Sequence, residues 1–212
     1  MTEGDPTPVA PRSSGRNPDA YEDCLKGRYF LDTMCQEEIY KAIAFFKSAV
    51  ADETCCSLGH AGIADAYCQL ALLGSAPASQ LDRQARSSAE IALKNDPGLA
   101  DAHVSSGRVK MIFDWDWKGA QDAGRRAAAF DPCSVSAQIF QASLLCIFSS
   151  YEEAKQICYQ VLATAPLFFA ANVQLAACLY GACDFQGSAD QCWKILTLAP
   201  RFAPAQILLA LA

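Results

Sequence analysis

Small and apolar residues fall into columns along this chain, and the columns share one spacing. Ala64, Gly107, Ala142, Ala176 and Ala210 are separated by 43, 35, 34 and 34 residues. Ala42, Ala85, Ala120, Ala154 and Ser188 step by the same series, as do Ala49, Ala92, Ala127, Val161 and Ile195. Pro97, Pro132, Pro166 and Pro200 form a fourth column with gaps of 35, 34 and 34. Each unit reads as two antiparallel helices. A small residue in each helix lets the pair approach closely, and the proline after the second helix ends it and starts the turn to the next unit.

A period of about 34 residues with this small–small–proline pattern is that of tetratricopeptide repeats. The predicted fold is all-α, a right-handed α-solenoid of stacked antiparallel hairpins. The expected map is a flexible lead over 1–18 and repeats over 20–53, 57–98, 100–133, 135–168 and 169–202. Residues 203–212 begin a sixth repeat. Thr54 stands where the first proline of the series is expected. The spacing also locates insertions. Ala64 to Ala85 is 21 residues against 12 from Ala142 to Ala154, and 74–79 has the composition of the loop that takes up the excess. Gly107 to Ala120 is 13, one extra, near Asp114-Trp115-Asp116-Trp117. Gly27 to Ala42 is 15, three extra, near 32–35.

Composition fits a packed solenoid: 52% hydrophobic and 19% charged residues, too little charge for a disordered chain. The net charge of −6 argues against nucleic acid and anionic membranes as partners. No secretory signal or membrane-spanning run is legible, so the expected compartment is the cytoplasm.

Several segments carry a narrower resemblance. They are Asn17-Pro18-Asp19-Ala20-Tyr21, Gly27-Arg28-Tyr29, Gly62-Ile63-Ala64-Asp65-Ala66-Tyr67, the Asp114–Trp117 segment and Phe202-Ala203-Pro204-Ala205. Over about 17–212 the chain resembles the tetratricopeptide halves of bacterial signalling proteins, in which the repeats follow a winged-helix, nucleotide-cyclase or protein-kinase domain. The resemblance implies a partner-binding or sensory module. It implies no activity, because no such effector domain is present in these residues. The chain departs from that group in its cysteines and in Thr54.

Little else points to chemistry. Eleven cysteines occur without a C-x-x-C pair, which suits small buried hydrophobes better than a metal site. Cys55-Cys56 is a vicinal pair open to oxidation or simply filling a junction. His60 and His103 share one column, four residues before the small position, where packing or a polar cap is expected. Asp116 is expected to cap a helix while Trp115 or Trp117 packs on neighbours. No phosphate loop is present and no catalytic triad is assembled. The expectation is a non-enzyme without cofactor or metal.

In stacked hairpins of this type the first helix of each repeat lines the concave surface. Counting from the small column, the inward positions are Val104, Arg108, Met111 and Ile112, then Ile139, Ser143, Cys146 and Ile147, then Val173, Ala177, Tyr180 and Gly181. Repeat two gives Ala61, Asp65, Cys68 and Gln69. Of these, Val104, Arg108, Met111, Ile139, Ser143, Ile147, Val173, Ala177 and Tyr180 are the candidate partner-binding residues. They are mostly apolar, which disfavours a carboxylate clamp and suits a hydrophobic peptide or an amphipathic helix. Residues 203–212 hold no charge, so this end is expected either to be continued by further chain or to dock on something, such as a second copy. The function expected is a protein-interaction scaffold. The alternative is a small-molecule or thiol-redox sensor using the groove or the cysteines.

Overall fold

The computed structural model describes residues 18–51 and 56–212. The lead up to Asn17, Thr54 and Cys55 lie outside the described residues. The described chain is built of helices: α1 (Pro18–Asp32), α2 (Gln36–Ala49), α3 (Cys56–Leu72), α4 (Ala78–Asn95), α5 (Ala100–Val109), α6 (Trp117–Phe130), α7 (Val135–Ile147), α8 (Tyr151–Thr164), α9 (Phe169–Gly181), α10 (Phe185–Leu198) and α11 (Ala203–Leu211). Successive helices pair as hairpins, and the odd-numbered helices also pack on one another. This is an α-solenoid. Pro18, expected in the lead, is the first residue of α1.

The columns are the core. Ala42, Ala85, Ala120, Ala154 and Ser188 are all fully buried, as are Ala64, Ala142 and Ala176. The demand for small side chains has a visible cause at Gly27 and Gly62. A Cβ added at either would collide with the Phe46 ring, which fills the space between α1 and α3. Where the column carries Ser188, its hydroxyl donates to the Ala176 carbonyl at 2.9 Å, so burial leaves it satisfied.

The insertions are absorbed differently from the expectation. The linker between α3 and α4 covers only 73–77, while these helices have 17 and 18 residues against 13 and 14 in α7 and α8. Most of the excess has become extra helix, and Ala78 and Ser79 belong to α4 rather than a loop. The single extra residue after Gly107 is taken up by a π-helical turn over Lys110–Asp114. A π turn is what one residue inserted into an α-helix produces.

Each odd-numbered helix from α1 to α9 ends in a left-handed residue: Met34, Gly74, Trp115, Ser149 and Cys183. In three of these turns an N–H reaches back five residues, from Ser75 to Leu70, Ser150 to Leu145 and Asp184 to Leu179. This is the Schellman closure, which satisfies the last carbonyls of a helix. Asp116 then caps α6, accepting from Gly119 N at 2.9 Å, as expected. Trp117 is half-buried, whereas Trp115 stays 71% exposed with its ring edge-on to Trp117.

Candidate inner-face site

The odd-numbered helices present the inner face, and the column one residue past the small position sets its electrostatics. That column reads Arg28, Asp65, Arg108, Ser143 and Ala177. Asp65 is fully buried, and its Oδ2 lies 2.7 Å from Arg108 Nη1 and 3.4 Å from Arg28 Nη1. Arg28 Nη2 is 3.0 Å from Asp101 Oδ1. A carboxylate so buried requires such partners, because removing it from water costs several kcal/mol, about what two close cations return. Burial by itself lowers the Arg28 pKa, but Asp101 and Asp65 more than offset this and hold it above the usual value.

A second feature joins distant parts of the chain. Asp32, at the end of α1, accepts from Phe169 N at 3.2 Å and Ala170 N at 3.0 Å, at the start of α9. A carboxylate is the natural ligand of a helix N-terminus. Burial pushes the Asp32 carboxyl up, against the two backbone donors that pull it down. Met34 adds an apolar contact, packing on the cluster of Ala176, Cys192, Ile195 and Phe202. The first hairpin therefore touches the fifth. Beside this contact lies a pocket of about 350 Å³, lined on one side by Leu25, Arg28 and Leu31 of α1 and on the other by Val135 and Ile139 of α7 with Phe168.

The candidate residues divide. Arg108 and Ile139 reach this pocket. Ile139 is nonetheless buried, packed with Val161 and Ala171. Val104 is a correction: it is fully buried with Ala120, Ala127 and Phe140 and offers a partner no surface. The −3 offset points between neighbouring helices rather than out of the groove. The single Ser143 hydroxyl proton is shared between the Ile139 carbonyl at 2.9 Å and Gln174 Oε1 at 2.7 Å. Met111, Val173, Ala177 and Tyr180 are half-buried, and Tyr180 lies edge-on to Phe185. Ile147 is 46% exposed beside Phe148, also 46% exposed. Met111 and Tyr180 stand four residues past the small column and Ile147 five past it, all near the C-terminal ends of their helices, with Phe148 and Phe185 next to the last two. They do not line the pocket, whose walls come mainly from α1 and from the starts of α5, α7 and α9.

Sequence reasoning missed Arg28, Asp32 and Asp101. The same offsets counted from Gly27 give Cys24, Arg28, Leu31 and Asp32, and all four line the pocket. The signal was present and needed only to be applied to the first repeat.

The described thiols fall into three groups, Cys56 and Cys146 being half-buried. Cys35, Cys133 and Cys183 are exposed, while Cys24, Cys68, Cys158, Cys178 and Cys192 are buried. Burial, with Asp65 nearby, pushes the Cys68 thiol up and keeps it protonated. Cys178 packs in one cluster with Cys146 and Cys158 and receives the Gln174 amide at 3.5 Å. Its two thiol neighbours, and after them the Gln174 amide, pull the Cys178 thiol down, while Cys178 pushes the other two up. Among the described residues no group of His, Cys, Asp and Glu is arranged to hold a metal ion. No described helix is long and apolar enough to cross a membrane.

Known structures place the fold. The chain is similar to TTC0263, a thermophilic tetratricopeptide protein of Thermus thermophilus, with a TM-score of 0.62 at 12% identity over 90% of this chain and 97% of that one. It is also similar to YrrB, described as a tetratricopeptide protein with an unusual peptide-binding site, with a TM-score of 0.50 at 15% identity over 92% of each chain. No protein-family model and no curated protein sequence matches it. The chain thus has the fold of tetratricopeptide proteins, an α-solenoid of helical hairpins.

Proposed function

We propose that this chain is a non-enzymatic interaction scaffold whose 19–212 region acts as one unit, binding an apolar peptide or one face of an amphipathic helix along Met111, Ile147 and Tyr180. The observation that carries this reading is the exposure of Ile147 and Phe148 at 46% each, on a fold that buries its other repeating apolar columns. Apolar residues left accessible at the same end of neighbouring helices mark interaction surfaces, and the i, i+3, i+4 anchors of a partner helix fit such a surface. Ser143, Val173 and Ala177 belong to the same helices α7 and α9, and Arg108, paired with Asp65, to α5. In the cell this corresponds to the partner-binding or sensory part of a bacterial cytoplasmic signalling system, without nucleic acid. The uncharged α11, with Ile207 61% and Leu211 58% exposed, supports self-association as a second contact.

The test uses the wild-type chain and Ile147→Glu as baits in lysate of the source cell, with circular dichroism confirming that both fold. Ile147 is the position to change because Ile139 is buried and its replacement by Glu would unfold the repeat. A protein held by wild type and lost by Ile147→Glu supports the apolar row. Equal retention by both baits removes it.

A further inference from the structure

We propose that the pocket between α1 and α7 binds a small neutral amphiphile, an alkyl chain with an uncharged amide head, anchored on Gln69. Three features of the pocket converge on that chemistry. The first is its shape. The lining runs from Tyr21 to Asp32 along α1 and from Leu58 to Gln69 along α3, eleven residues apart in each case. At 1.5 Å per residue that is about 16 Å, long for a space of about 350 Å³. The volume sits at the low end for small-molecule sites. A long, narrow space takes an extended alkyl chain more readily than a compact ring system, and Leu25, Leu31, Leu58, Val135 and Phe168 offer it apolar walls.

The second feature is charge. The wall residues Arg28 and Arg108 are matched on the protein. Arg108 pairs with Asp65 at 2.7 Å, and Arg28 with Asp101 at 3.0 Å. The remaining carboxylate, Asp32, is held by the N–H groups of Phe169 and Ala170. An ionic ligand would lose its hydration here without gaining an unmatched counter-charge, so the pocket selects an uncharged head. The third feature is a pair of orphaned polar atoms. Gln69 Oε1 and Ser136 Oγ are buried without a hydrogen-bond partner among the described residues, and both side chains line the pocket. Both residues are only half-buried, so a turn about their own side-chain bonds presents these atoms to the space. A neutral amide carries both complements. Its N–H donates to Gln69 Oε1, and its carbonyl can accept from a hydroxyl such as that of Ser136. Satisfying a buried acceptor recovers free energy that the unliganded fold forgoes.

The site is independent of the apolar row proposed above, since Met111, Ile147 and Tyr180 do not line it. The full chain is titrated with octanamide, octanoate and octylamine, each below its aggregation limit, by isothermal titration calorimetry. Octanamide should bind at one site, at least about tenfold more tightly than either charged analogue, and should raise the melting temperature. Gln69→Leu should weaken octanamide by about tenfold. The unliganded variant should melt no lower than wild type, because the substitution removes an orphaned acceptor. Ser136→Ala repeats the test with a smaller change should Gln69→Leu fail to fold. Ile147→Glu should bind octanamide as wild type does, even where it loses a protein partner. Absence of saturable binding, a charged analogue bound as tightly as the amide, or undiminished binding by folded Gln69→Leu would overturn the proposal. Loss of octanamide binding in folded Ile147→Glu would overturn it too, by placing the probe on the apolar row.

Discussion

The Nε2–H of His103 donates to the carbonyl of Pro97, six residues earlier, across 2.8 Å. The same bond recurs from Gln138 to Pro132 at 3.1 Å, Asn172 to Pro166 at 3.0 Å and Gln206 to Pro200 at 2.9 Å. Each ties the turn between hairpins to the helix that follows. His103 is thus a polar brace, stacked on Phe130 with ring centroids 5.2 Å apart. His103→Ala should cost about 1–3 kcal/mol, because a partly buried carbonyl loses its donor. His103→Gln, which copies the later repeats, should cost less than half of that. Urea unfolding of the two variants decides it, and equal losses would discard the brace.

His60 occupies the same position one repeat earlier, but its Nδ1 is buried without a partner and burial lowers its pKa. Its folded value lies below the unfolded one of about 6.5, so the unfolded chain takes up the proton first. Stability from this group is therefore full above about pH 6.5 and declines as the pH falls from there towards the folded pKa. His60→Gln should flatten that part of the curve. Melting temperatures measured at steps between neutral and mildly acid pH would show parallel curves if His60 were unperturbed.

Asp65 holds two guanidinium groups with a single buried oxygen. Asp65→Asn should destabilise the fold by about 3 kcal/mol, the low end for breaking a buried pair, since both arginines keep some contact with water. Adding Arg108→Met should recover part of the loss by removing one unpaired cation. Additive losses in the double-mutant cycle would mean that the two residues act independently.

Ser149 adopts φ +61° at the end of α7. A side chain in this region costs about 1–2 kcal/mol relative to glycine. Ser149→Gly should therefore raise stability by about 1 kcal/mol after the unfolded chain's gain in freedom is subtracted. Gly74 already occupies the equivalent turn of the second hairpin, so Gly74→Ser should move stability in the opposite direction. Thermal melts of the reciprocal pair test both signs at once.

Columns such as Ala42–Ala85–Ala120–Ala154–Ser188 were legible in the sequence because close helix packing punishes any large side chain there, as the Phe46 ring shows at Gly27. The lengths of insertions were equally legible, their forms less so. One extra residue became a π turn at Lys110–Asp114, and most of nine became added helix in α3 and α4, because a helical residue satisfies its own backbone while a loop residue does not. On the inner face Arg108 borders the pocket and Ile147 is exposed, whereas Val104, which the register placed outward, is sealed within. The pairing of Asp32 with the start of α9 could not be read at all. It depends on the curvature summed over four hairpins, and no local pattern encodes a sum.

That pairing changes how the molecule should come apart. A solenoid whose units touch only their neighbours frays from its ends, one hairpin at a time. Here Asp32 bonds to residues 137 and 138 positions away, so the first and fifth hairpins each guard the other's free side. The chain behaves less like a rod with two loose ends than like a fastened bracelet. Neither the first nor the fifth hairpin can leave without also breaking the two hydrogen bonds that join them, which couples the opening of one to the other.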